Sequence, residues 1–166
     1  AMAFMKYAQD QGCLVILWDP EKKFSAVRFD KFFKGDSKNL VAITAKIILE
    51  GVDQVHAVVM AAHQQNPHQK ILLVWDSVGA TLSASEDEKQ ARQSKQTAEE
   101  AKDNGRAMRR IILDMEKVKD KERNRENLAV LLINQVYSDV RGKGSKESGG
   151  QKVEFHSSII LQLTRK

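Results

Sequence analysis

Three short apolar runs in this chain stop on side chains that can do chemistry. Ile71-Leu72-Leu73-Val74-Trp75 leads into Asp76-Ser77, Leu14-Val15-Ile16-Leu17-Trp18 into Asp19-Pro20-Glu21, and Leu128-Ala129-Val130-Leu131-Leu132-Ile133 into Asn134-Gln135. A glutamate in such a place can orient or deprotonate water. An aspartate followed by a serine suits a hydrated magnesium ion, and a glutamine can donate to a phosphate while accepting from another group. Taken singly, Glu21 is a solvent-facing turn acid, and Asp76 and Ser77 merely end a buried strand. Three ends built on one pattern shift the balance toward function.

The elements that must position these residues follow from the apolar runs themselves. Unbroken apolarity, rather than alternation, suits strands covered on both faces, as in a parallel sheet packed between helices. Parallel strands would bring Glu21, Asp76 and Gln135 out along one carboxyl edge, where open α/β sheets bind ligands. Between the strands, residues 2 to 11 read as a helix with Gly12 at its exit, and Phe24, Val27 and Phe32 line a short helix, with Phe29 and Phe33 adding to its apolar surface. Leu40 to Thr44 forms a short strand. Val52, Val55, Val59 and Ala62 mark one face of a helix from Gly51 to Asn66. Ala107, Met108, Ile111, Ile112, Met115 and Val118 do the same from Asn104 to about Lys121.

The order of these motifs resembles the core ATPase domain of the RecA family of DNA strand-exchange recombinases, over nearly the whole chain. VILWDPE is similar to the strand whose glutamate activates water for ATP hydrolysis, and ILLVWDS to the Walker B strand, whose aspartate holds magnesium through water. LLINQV resembles the strand ending in the glutamine that senses the γ-phosphate, and SGGQKVEFHSSIILQL the glycine pair and strand that close the second DNA-binding loop. The resemblance implies catalytic roles for Glu21 and Gln135, and nucleotide and magnesium contacts for Asp76 and Ser77. It implies DNA contacts for Arg106, Arg141, Lys143, Lys146, Gly149, Gly150, Gln151 and Lys152.

One part of the pattern is missing. No GxxxxGK[ST] sequence occurs in the chain, so the backbone amides and the lysine that would cradle and neutralise phosphates are not supplied. The expectation is therefore an α/β, three-layer RecA-like fold of the P-loop ATPase type, N-terminally truncated and forming a single partial domain over residues 1–166. Its mainly parallel sheet would contain residues 13 to 18, 71 to 76, 128 to 134 and 153 to 163. The intact parent would use ATP and magnesium, assemble into a filament on single-stranded DNA and exchange strands. This chain would be ATPase-deficient and bind no cofactor tightly. The alternative is a noncatalytic RecA-like module that binds a recombinase subunit or nucleic acid. A small-molecule enzyme using the same edge ranks third, since no other catalytic constellation is visible.

Composition supports one domain with a real core: 166 residues, 42% of them hydrophobic. The net charge of +5 is localised, because residues 102–152 hold thirteen basic and eight acidic side chains and the rest of the chain balances to zero. Within that region Gly142, Gly144, Gly149 and Gly150 alternate with Arg141, Lys143, Lys146 and Lys152. Such a stretch is either a flexible linker or a loop that attracts phosphates. Arg106, Arg109 and Arg110, near the expected start of the helix from Asn104, are open to the same two readings, phosphate contact or solubilising charge. His56, His63 and His68 match no standard zinc spacing. A single cysteine, Cys13, and no apolar run of about 18 residues point to a soluble, cytoplasmic protein without membrane partners.

Overall fold

A computed structural model describes residues 1–83, 93–134, 136–138, 145–147 and 156–161, with backbone only for 93–98, 136–138 and 145–147. Four parallel strands, β1 (Leu14–Trp18), β2 (Leu40–Ile43), β3 (Ile71–Asp76) and β4 (Leu128–Ile133), form one sheet in the order β2-β1-β3-β4. Helices α1 (Met2–Asp10), α2 (Ala26–Phe33), α3 (Ile48–Gln65) and α4 (Gln93–Lys117) cover it. A separate antiparallel pair joins β5 (Val136–Ser138) to β6 (Ser145–Glu147).

The apolar runs are continuous because successive side chains serve different layers. Ile16, Trp18, Ile71, Leu73 and Trp75 face α3 and α4, packing with Ile48, Val52, Val55, Val59, Ala107 and Ile111. Val15, Leu17 and Val74 face the other way, against Met5 and Ala8 of α1 and Phe29 of α2. Each fully buried aliphatic side chain contributes roughly 1.5–3 kcal/mol relative to exposure, so the sheet is the main source of stability. The step from β1 to β2 runs over the α1–α2 face. The steps from β2 to β3 and from β3 to β4 run the opposite way over the α3–α4 face, as a single hand of crossover requires.

Two contacts fix the central strands. Trp18 and Trp75 stack with ring centroids 4.1 Å apart and 15° between planes, and Trp18 Nε1 donates to the Ala45 carbonyl at 2.8 Å. Gly51 of α3 lies directly on the Trp18 indole, where a Cβ would overlap the ring.

Several sequence expectations need correction. The strand expected over 153–163 is not present in its described part: 156–161 forms no strand, and Ile159 and Leu161 are nearly four-fifths exposed. No described strand offers a ladder to that segment, and extended backbone without a partner leaves its amides to solvent. The fourth strand of the sheet is Leu40–Ile43, paired with β1 from Val15↔Leu40 to Trp18↔Ile43. In α2 the buried residue is Phe29, while Val27 and Phe32 are exposed. The helix is anchored at Ser25, whose Oγ accepts from the Arg28 N–H at 3.2 Å, and this phase turns Phe29 inward. Helix α4 begins at Gln93, well before Asn104, because the intervening Gln, Lys, Ala and Glu residues are good helix formers. The stretch expected as one glycine-rich loop from Ser138 contains the β6 strand, with Lys146 opposite Tyr137.

Candidate functional site at the carboxyl edge of the sheet

Strand order creates a switch point between β1 and β3, because the chain leaves these neighbours in opposite directions. Trp18 and Trp75 are in register, so the residues that follow them, Asp19 and Asp76, emerge side by side. This crevice outside the carboxyl ends of the strands is where open α/β sheets take ligands.

The segment after β1 is a tight turn built on Asp19. Its N–H donates to the Ile43 carbonyl of β2 at 2.8 Å, its carbonyl accepts from the Lys22 N–H at 3.2 Å, and its buried Oδ2 accepts from the Phe24 N–H at 2.7 Å. Lys22 takes a left-handed conformation, with φ 57°. The turn thereby returns toward the sheet and brings Glu21 and Lys23 together, Nζ to Oε1 at 2.6 Å. Asp19, Glu21, Lys23 and Asp76 line one cleft of roughly 100 Å³, closed on its apolar side by Met5 and Phe24.

Electrostatics in the cleft favour a cation. Burial raises the Asp76 carboxyl above its ordinary range, the Ala1 ammonium opposes that rise, and the negative charges of Asp19 and Glu21 add to it. The Glu21 hydrogen bond and charge hold the Lys23 ammonium above its usual value, with further support from Asp19 and Asp76. Three carboxylates thus share one edge with one ammonium, and a half-buried carboxylate among like charges gains most from a positive partner.

The residues expected from the sequence are only partly brought together. Glu21 and Asp76 share the cleft. Ser77 is buried behind it, its carbonyl accepting from the Ala80 N–H at 3.1 Å as the chain enters the turn at Val78–Ala80, and the Asp76–Ser77 peptide is cis. Gln135 lies outside the described residues, although Ile133, two residues earlier, pairs with Asp76. Arg106 sits on α4, half-exposed and paired with Asp103 at 3.2 Å, away from the cleft lining. Lys146 is placed on β6 by its backbone. Arg141, Lys143, Gly149, Gly150, Gln151 and Lys152 lie outside the described residues.

Sequence reading did not single out Asp19 or Lys23. The signal was in the same short stretch, where DPEKK places a second carboxylate two positions before Glu21 and a lysine two positions after it. His56 and His68 turn out to tie elements together, through Asp114 at 2.8 Å and Asp120 at 2.9 Å.

An all-oxygen donor set fits a hard cation that keeps several of its own waters, as magnesium does. Direct coordination by three side chains is a different matter, since among the described residues no group of three or more His, Cys, Asp or Glu converges on a point. The cleft is also smaller than the roughly 300–1,000 Å³ of pockets that enclose drug-sized ligands, so it accommodates a hydrated ion and no complete nucleotide. No described helix is long and apolar enough to cross a membrane. A scan against protein-family models finds no match to this chain, and a search of curated proteins finds none either.

Proposed function

We propose that the chain is the core of an ATP-dependent, RecA-type DNA recombinase, with Glu21 and Asp76 belonging to its nucleotide edge and with no phosphate-capturing loop of its own. The observation that carries this reading is the shared cleft of Glu21 and Asp76 at the switch point of a parallel sheet, joined to the order of motifs along the sequence. Magnesium bound there would supply charge neutralisation for phosphate oxygens. Asp76 would hold its hydration shell, Asp19 would position the turn, and Glu21 would orient water. Without a phosphate cradle none of this amounts to turnover. Calorimetry with magnesium and ATP should show no tight binding, and a phosphate-release assay should show no turnover dependent on Glu21. Clear activity abolished by Glu21→Ala would overturn the ATPase-deficient assignment.

The DNA component of the proposal rests on the excess charge of residues 102–152. Contacts there would release counterions from phosphates, giving weak binding that salt suppresses. Replacing Arg141, Lys143, Lys146 and Lys152 together with Ala should lower single-stranded DNA affinity and flatten its salt dependence in fluorescence anisotropy. An unchanged salt slope would reduce the segment to a linker. The alternative, a noncatalytic module that binds a recombinase subunit or nucleic acid, draws on the missing GxxxxGK[ST] sequence.

A further inference from the structure

We propose that Lys23 is a resident counterion of the switch-point carboxylates, competing with a divalent cation for Glu21 and holding Glu21 out of use until the cation displaces it. This rests on the reading of the cleft as a hydrated-cation site.

The geometry is specific to the turn. Glu21 and Lys23 are two residues apart, the left-handed Lys22 between them reverses the chain, and Asp19 clamps both ends of the reversal. The ammonium consequently reaches Glu21 at 2.6 Å, on a cleft that Asp19 and Asp76 also line. A glutamate so engaged has given an oxygen to an internal cation, and that oxygen is not free to hold a water against a ligand.

The contact is also built to be reversible. The Lys23 side chain is 71% exposed, and Glu21 is its sole salt-bridge partner among the described residues. Exposed pairs of this kind contribute little, about 0–1 kcal/mol. A lysine on a flexible stem leaves such a pair readily, whereas a doubly charged ion gains more from the same carboxylates than a single ammonium does. Lys22, next in the chain, carries the same charge but does not line the cleft.

The test uses terbium luminescence, because Trp18 and Trp75 immediately precede Asp19 and Asp76 and can sensitise an ion bound between them. Magnesium displaces the terbium and reports its own apparent Kd. Lys23→Met should tighten magnesium binding about three- to tenfold, the effect of removing one nearby unit charge. Lys22→Met, which alters net charge equally, should change it less than about twofold, as expected for a screened charge outside the cleft. Asp76→Asn should weaken binding in every background. Equal shifts for Lys23→Met and Lys22→Met, or no shift for either, would overturn the competition while leaving the cation site intact. Binding that is absent throughout, or indifferent to Asp76→Asn, would remove the site and the competition with it.

Discussion

Gly51→Ala adds one methyl group and tests whether the tryptophan stack under the candidate site is as closely packed as it is drawn. A Cβ at this position overlaps Trp18 Cζ2 and Cε2 and comes within 2.7 Å of Cη2. The indole has little room to retreat: it is fully buried, stacked on Trp75 and hydrogen-bonded to Ala45. Overpacking of this kind costs about 1–3 kcal/mol. Loss of the indole hydrogen bond would add about 0.5–1.5 kcal/mol. Against this stands the gain of about 0.8–1 kcal/mol when alanine replaces glycine inside a helix. The net expectation is a loss of about 1–3 kcal/mol, read as a lower urea midpoint at unchanged slope by tryptophan fluorescence and circular dichroism. Trp18→Phe removes the ring atoms in the clash, so the double variant should recover at least about 1 kcal/mol relative to additivity. Gly51→Ala as stable as the parent, or a strictly additive cycle, would refute the close helix–indole contact.

Two further predictions concern carboxylates. The folded-state value of Asp76 lies above its unfolded value, mainly through burial. Its contribution is therefore fully present below the unfolded carboxyl range and is lost as pH rises through the folded value. At neutral pH Asp76→Asn should match or exceed the parent in urea stability, as expected where a carboxylate is kept for function against the interest of the fold; marked destabilisation at neutral pH would count against that role. Asp120 behaves oppositely. The Arg123 N–H is the largest influence holding its carboxyl below the ordinary range, and His68 adds to it. Its stabilisation is present above the unfolded range near about 3.9 and is lost as pH falls through the folded value. Asp120→Asn should accordingly lower the urea midpoint at neutral pH and flatten the acid side of the stability curve; a parallel downward shift at every pH would show that charge is not involved.

Sequence alone determined the elements of this protein where local chemistry leaves one solution. Five or six consecutive apolar residues, with Pro20 or Asn66-Pro67 as punctuation, can be satisfied only by strands covered on both sides. That is why β1, β3 and β4 and their polar ends were legible at once. The spacing of Val52, Val55 and Val59 likewise placed α3 within three residues of its observed start. Tertiary structure decided everything that depends on who lies next to whom. Leu40–Ile43 joins the sheet because β1 offers it a free edge, whereas Ile159 to Leu161 is as apolar and finds no ladder among the described strands. Phe29 is buried and Phe32 exposed because the Ser25 cap sets the phase of α2, a one-residue matter that five closely spaced apolar side chains could not reveal. In the site, the motif named Glu21 and Asp76, but only pairing of β1 with β3 placed Asp19 beside Asp76, and only the left-handed turn at Lys22 brought Lys23 onto Glu21. Charge pairs of that kind arise from backbone reversal and strand register, and neither is written in the order of residue types.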